Sequence, residues 1–510
     1  MSIFKKLAGQ TAIYGLSSIV ARFLNYLLTP LYTGKDGFSP DQYGIITEMY
    51  AYIAFIMILL TYGMETSFFR YSTLKGNDKS TVFSTALTSL LTTSLIFMAL
   101  AYWFSGTIAG WMNYEDHPEY IIWLSGIMAM DAISAVPMAK LRANNQASKF
   151  AIINFVSVLV NIGLNLFFIV YCKYEYESPQ HSEMIDLLYD PSIGVGYVFI
   201  ANFIASGVKL LLLIPEFPFG RFKFDVQLLR QMLPYALPLI IVGFAGNINE
   251  TIDRVMLKTI TMNEEMANGT TELLAKEIGQ RQNGIYGACY KITMIITLFL
   301  QAFRYASEPF FFNQEENKES KQVYARVMTY FVIVVSFCFL GIMLFLHFFK
   351  HFIPNPDYWE GLKVVPILLA ANILLGIYFN LNIWFKLSGK TQYGALIATI
   401  GAGITITLNW LYIPEYGYEA CAWTTLIVYT IMVILSFLFG RKHYPIPYNF
   451  RKIGLYAGLA GGLFLLSLPF DHTKTMTLEM GLYHTGLLLV FVAVVLFLER
   501  PKKLVTSDVQ

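Results

Sequence analysis

The sequence predicts an all-α protein that crosses a membrane many times. Two observations carry this. Of its 510 residues, 56% are hydrophobic and only 14% are charged, where a soluble domain carries roughly 25% charged residues. The apolar residues also lie in continuous runs, each close to the ~20 residues a helix needs to cross the hydrocarbon core. Continuous runs exclude a membrane β-barrel, whose strands alternate apolar and polar positions. The same composition excludes disorder and a soluble enzyme. Net charge is +2, which gives no reason to expect nucleic acid as a partner.

Fourteen runs of spanning length follow in order: 11–32, 43–65, 81–104, 120–139, 150–171, 194–215, 233–255, 284–306, 323–348, 364–385, 392–413, 418–439, 453–470 and 480–498. They are numbered here as helices 1 to 14. The first follows Lys5 and Lys6 and has no small-residue cleavage site at signal-peptide distance, so it reads as an uncleaved helix. The longest connections expected are 172–193, 256–283 and 307–322, none large enough for a soluble catalytic domain. With the N-terminus inside, roughly two thirds of the Lys and Arg fall in inward-facing segments, which predicts both termini in the cytoplasm. The weakest point of that assignment is the outer loop 256–283, which holds Lys258, Lys276 and Arg281.

The chain repeats itself. Tyr43-Gly44 recurs as Tyr286-Gly287, and at the same offset Tyr62 matches Tyr305, Glu65 matches Glu308 and Phe68-Phe69 matches Phe311-Phe312. Lys140-Leu141 and Gln146 recur as Lys386-Leu387 and Gln392. Helix 2 therefore corresponds to helix 8 and helix 5 to helix 11. An even number of helices separates the partners, so the repeats are parallel and related by an axis along the membrane normal. The expected organisation is a six-helix bundle in residues 1–230, a second in 231–440, and helices 13–14 with a cytoplasmic tail in 441–510.

Charges inside these runs cost at least ~2.5–3.5 kcal/mol each at the bilayer centre, so each needs a functional or structural reason. Ser18, Arg22, Asn25 and Thr29 share one face of helix 1. A guanidinium there could hold phosphate oxygens bidentately, or pair with a buried carboxylate and lock two helices. Asn247, Glu250, Arg254 and Lys258 form a matching stripe on helix 7, with Asp253 pointing elsewhere. Glu250 and Arg254 are four apart and could instead satisfy each other. Lys291 lies in helix 8, and its repeat-mate is Glu48 in helix 2. Lys291 reads as a cavity cation or as one half of an outer Glu48–Lys291 gate. Lys209 is expected to snorkel toward the cytoplasm. Asp131 in helix 4 has no local partner, whereas Glu65 could pair with Arg70, and Glu308 with Arg304.

Other features have plainer readings. The 16% aromatic content suits core packing and interface belts, to which Trp103, Trp111 and Trp359 are assigned. Gly454 and Gly458 form a GxxxG packing face in helix 13. Pro30, Pro234 and Pro238 are places where helices could bend. Asn268-Gly269-Thr270 fits the glycosylation pattern but only weakly. The four cysteines have no metal or redox spacing, and His347 and His351 lack the Glu of HExxH, so no metal and no cofactor is expected. There is no GxxxxGK[ST] and hence no ATPase in the chain.

Several segments resemble the polysaccharide (O-antigen-type) flippases of the multidrug/oligosaccharidyl-lipid/polysaccharide exporter superfamily. They are Gln10-Thr11-Ala12-Ile13-Tyr14-Gly15-Leu16 running to Arg22, Tyr43-Gly44, Gly63-Met64-Glu65-Thr66, Phe69-Arg70, Leu233-Pro234-Tyr235-Ala236-Leu237-Pro238, Asp253-Arg254, Gly284-Ile285-Tyr286-Gly287 and Gly417-Tyr418-Glu419-Ala420. The resemblance implies a V-shaped pair of bundles that rock between inward- and outward-open states. It implies a substrate, an undecaprenyl-diphosphate-linked oligosaccharide, moved to the outer leaflet of the plasma membrane. It also implies coupling to Na+ or H+, for which Asp131, Glu65 and Glu48 are the candidate carboxylates, and contact with membrane lipids and other polysaccharide-assembly proteins. A monomer is the expected state. The competing readings are a cation-coupled multidrug exporter, a lipid II flippase, and a membrane-embedded sugar polymerase or ligase.

Overall fold

The computed structural model describes residues 19–500 except 75, 180–181, 219–222, 315–318, 389 and 471–476. Among these residues helix is the regular secondary structure and no strand occurs, and twelve helices are long and apolar enough to cross a membrane. Helix α1 is seen over 19–26, loosens at 27–28 and resumes as Thr29–Tyr32. The others are α2 (Pro40–Thr61), α3 (Lys79–Trp103), α4 (Pro118–Ala143), α5 (Ala147–Asn165), α6 (Gly196–Leu213), α7 (Val226–Ala267), α8 (Glu272–Gln314), α9 (Ser320–Leu344), α10 (Val365–Leu381), α11 (Gln392–Tyr416), α12 (Tyr418–His443), α13 (Phe450–Ser467) and α14 (Leu478–Leu498).

Local chemistry sets the ends. α2 starts with Pro40 in its first turn and a capping box between Ser39 and Gln42. It stops at Tyr62 (φ 30°) and Gly63 (φ 70°), then resumes as Met64–Thr73. A side chain at Gly63 would also come within 2.8 Å of the Ala236 oxygen, so the break brings α2 against α7. Asp225 caps α7 by accepting from the amides of Gln227 and Leu228, and Asp78 caps α3 by accepting from Ser80 and Thr81.

The largest departure from the sequence reading is at 256–283. That stretch is not a loop. α7 runs for 42 residues and α8 for 43, and only 268–271 connect them. At ~1.5 Å per residue α7 is about 63 Å long, twice the ~30 Å hydrocarbon core. Hydropathy marks only the part of a helix in lipid; beyond it, a helix continues wherever its charged residues find partners.

Segments 33–39, 104–117, 268–283 and 353–363 meet on one face, here named outer after the charge count. Asn355 donates to Thr33 O, Tyr358 to Phe38 O and Lys258 to Met112 O. On the opposite face, Tyr71 donates to Gln231 O at 2.6 Å, and Asp225 N reaches Thr85. α2 is the axis of the assembly. Its outer half packs along α8, its inner half and the Met64–Thr73 turn along the start of α7. The inner end of α8 leans away onto α10 and α9, with Gly376 against Leu300 and Phe303 on Phe331. α3, α5 and α6 surround α4, α11 and α12 pack on α7, and α13 and α14 dock on α9. The largest core joins Tyr43, Met49, Ile285, Tyr286, Ile292 and Leu368 at the α2–α8–α10 junction.

Trp103 and Trp111 are exposed, as belt residues are. Trp359 is not: its indole donates to Ile353 O and Lys350 lies 3.9 Å over its ring. Gly454 and Gly458 face open space rather than a packed helix.

Candidate functional site

Four cations from three helices converge near the middle of the molecule. Arg22 on α1 is exposed and has no ion pair among the described residues. The Glu250 carboxylate on α7 lies within electrostatic range of Arg254, Arg304 and Arg22, and Arg254 acts in turn on Lys291. Arg254 donates to the main-chain oxygen of Glu250 at 2.7 Å and stacks on Tyr290 at 4.6 Å. Arg304 lies 5.3 Å over the Phe379 ring. Lys291 has no ion pair among the described residues, and its main-chain oxygen accepts from Tyr26 at 2.8 Å, which ties α1 to α8. Arg22 and Glu250 are mid-helix yet exposed, so they border open space. With Glu250 and Asp253 as the carboxylates placed here among the described residues, the region carries a net positive charge.

The remaining predicted polar residues are placed as follows. Asn25 accepts from Asn161 of α5 at 3.2 Å. Asn247 is partly buried and its side-chain nitrogen has no partner among the described residues. Ser18 lies outside the described residues. Asp253, expected to point elsewhere, accepts from Tyr286 at 2.6 Å but also sits 3.8 Å from Arg254. The expected Glu250–Arg254 carboxylate pair is replaced by the main-chain bond.

Three further expectations are corrected. Glu48 does not face Lys291. It pairs with Lys258 of α7 at 3.4 Å and accepts from Tyr114 at 2.6 Å. The helical extension of α7 carries Lys258 to that level. Asp131 is paired, with Lys209 at 3.2 Å, so Lys209 reaches a carboxylate on α4 instead of snorkelling. Glu65 pairs with Arg142 at 2.5 Å, not Arg70; Arg70 lies over the Tyr235 ring. All three candidate coupling carboxylates are thus held in ion pairs. Among the described residues no three His, Cys, Asp or Glu gather as metal ligands.

Sequence reasoning missed Tyr114 and Gln280, which lie in segments read as loops, and gave Arg304 only a local role. Tyr114 is buried. Burial first, and the Glu48 charge second, push its hydroxyl well above the ordinary phenol range, so it donates.

A family model described as "Polysaccharide biosynthesis protein" matches residues 7–315. The chain belongs to this family. No curated protein matches the sequence. Among solved structures, the fold is similar to "Lipid II flippase MurJ, inward closed conformation", with TM-score 0.70 and 14% identity over 95% of this chain and 98% of that one. It is also similar to an inward-facing multidrug resistance MATE family transporter of the MOP superfamily, with TM-score 0.63 and 14% identity over 84% and 97%. A third is the MATE multidrug transporter DinF-BH, with TM-score 0.57 and 15% identity over 87% and 97%. This member of the polysaccharide biosynthesis family is a multi-pass membrane protein with the flippase-type transporter fold.

Proposed function

We propose that this transporter flips an undecaprenyl-diphosphate-linked oligosaccharide from the cytoplasmic to the outer leaflet of the plasma membrane, for cell-surface polysaccharide or lipopolysaccharide assembly. The observation that supports this most is the meeting of Arg22, Arg254 and Arg304 around the Glu250 carboxylate, with Lys291 in the field of Arg254. A diphosphate offers several anionic oxygens, and guanidinium groups bind such oxygens in pairs. Arg22 belongs to the first repeat and the other three to the second, so one bound diphosphate would be held by both halves. Glu250 is the internal counter-charge: it neutralises the cations in the empty site and yields them to substrate. The sugar stays in the aqueous space while the polyprenyl chain stays in lipid. Rocking of the two six-helix halves then exchanges access between the faces. Both termini are cytoplasmic and the chain acts as a monomer beside other assembly proteins.

A cationic drug is disfavoured by the excess of cations. A lipid II substrate shares the diphosphate and the lipid, and differs in the head group that the diphosphate carries. A polymerase or ligase is disfavoured because the structures resembling this one are transporters. If Na+ or H+ drives transport, Glu250, whose carboxylate makes no close ion pair among the described residues, is better placed to feel it than the paired Asp131, Glu65 and Glu48.

The test is lipid extraction from a deletion strain, with mass spectrometry of diphosphate-linked oligosaccharides and a leaflet assay. Build-up on the cytoplasmic side, reversed by the wild type but not by a normally expressed Arg22→Ala, is expected. No build-up, in a strain that makes such lipids and has no second flippase, overturns the reading.

A further inference from the structure

We propose that Glu48, Lys258 and Tyr114 form a latch that closes the outer end of the transport path and must part for release. The latch joins four segments. Glu48 is on α2, Lys258 on α7, Tyr114 between α3 and α4, and Gln280 on α8. Glu48 and Lys258 are fully buried, at 0% and 1% exposure. Lys258 donates to Met112 O at 2.9 Å and lies over the Tyr114 ring at 4.8 Å. Gln280 donates to the Tyr114 hydroxyl at 3.2 Å, and Lys276 faces the same ring at 5.0 Å. Beside the latch, α2 and α8 touch through glycine. A Cβ on Gly44 would fall 1.9 Å from Gln280 O, and one on Gly284 1.7 Å from Pro40 O. Asn283 donates to Gly44 O across this seam.

Stability does not explain the pair. Replacing a buried ion pair with apolar residues of similar volume is often neutral or stabilising. What an apolar seam lacks is an open form that water tolerates. Glu48 and Lys258 hold each other when the seam is dry, and each can be hydrated when it parts. Lys258 also lies one turn outward of Arg254 and shares its helix face with Glu250. An anion that draws on Arg254 therefore acts on the helix that carries the latch. This rests on the transporter reading but not on the identity of the substrate.

The test uses the full chain in right-side-out vesicles with Cys172, Cys289, Cys338 and Cys421 replaced, and T47C as reporter. Thr47 sits in the seam against Gly287. Labelling by a membrane-impermeant maleimide should be slow in this background. It should rise by about tenfold or more when E48Q or K258M strands the other group. The swap E48K/K258E should bring it back toward the starting rate. Unchanged labelling in both single variants, each eluting as folded protein, overturns the latch. Should the swap not fold, E48C/K258C replaces it: cross-linking must stop transport and reduction must restore it, and full transport while cross-linked overturns the latch. Labelling needs no substrate, so it can fail while the diphosphate reading stands, and the reverse.

Discussion

Arg254 reaches back one turn along α7 and donates from Nη1 to the main-chain oxygen of Glu250 at 2.7 Å, while the Glu250 carboxylate itself stays in the joint field of Arg254, Arg304 and Arg22. A substrate anion must compete with that carboxylate. Glu250→Gln should therefore tighten binding of undecaprenyl diphosphate, by about tenfold for each 1.4 kcal/mol of competition removed. Tryptophan-quenching titration of the purified protein would measure it. Weaker binding in this variant would mean that Glu250 positions the cations instead.

The Glu65–Arg142 pair at the inner ends of its helices is partly exposed, so it should contribute only ~0.2–1 kcal/mol, and Asp131 is already satisfied by Lys209. Asp131→Asn and Glu65→Gln should leave the transport rate and its dependence on pH and Na+ nearly unchanged. A lost or shifted ion dependence in either variant would return that carboxylate to a coupling role.

Glycines give a contrast within one molecule. Gly44→Ala must push α2 from α8, because its Cβ would overlap the Gln280 carbonyl. Overpacking of this kind costs ~1–3 kcal/mol or more. Gly454→Ala and Gly458→Ala meet nothing within 4 Å, and alanine in a helix is favoured over glycine by roughly 0.5–1 kcal/mol. Thermal unfolding in detergent should fall for the first and hold or rise for the other two.

Tyr114 supplies a pH prediction. Its hydroxyl is raised above the ordinary phenol value of 10.0, so folded and unfolded chains are both protonated below that value. As pH climbs past it, the unfolded chain ionises first and the fold loses stability. Loss of the Tyr114 proton should loosen the outer seam, read by T47C labelling, only above about pH 10. Tyr114→Phe should raise labelling at neutral pH, because Glu48 loses its donor.

Much of this architecture was legible. The apolar runs placed the helices, because a bilayer makes hydropathy a near-direct readout of position. The Tyr43-Gly44 and Tyr286-Gly287 repeat proved to mark a physical seam, with both glycines at the α2–α8 contact. Arg22, Arg254 and Lys291 stood out because charge in an apolar run is costly, and the structure brings them into one electrostatic neighbourhood. Partners were not legible. Glu48 and Lys258 are about two fifths of the chain apart, and Asp131 on α4 meets Lys209 on α6, so spacing alone could not pair them. The ends of α7 and α8 were hidden because helix outside lipid carries polar residues and looks like loop. Tyr114 was invisible because it lies in the connection between α3 and α4, where neither hydropathy nor helical spacing marks a residue.

The central claim is that the cations of both halves hold one diphosphate. Binding of undecaprenyl diphosphate should be measured for the wild type, Arg22→Ala, Arg254→Ala and Arg304→Ala at two salt concentrations. The account predicts that each substitution weakens binding by about tenfold or more, as loss of a charge-assisted contact should. It also predicts that added salt weakens the wild type. Equal binding by all four proteins, or displacement of the diphosphate by none of its analogues but by a cationic dye, would contradict it.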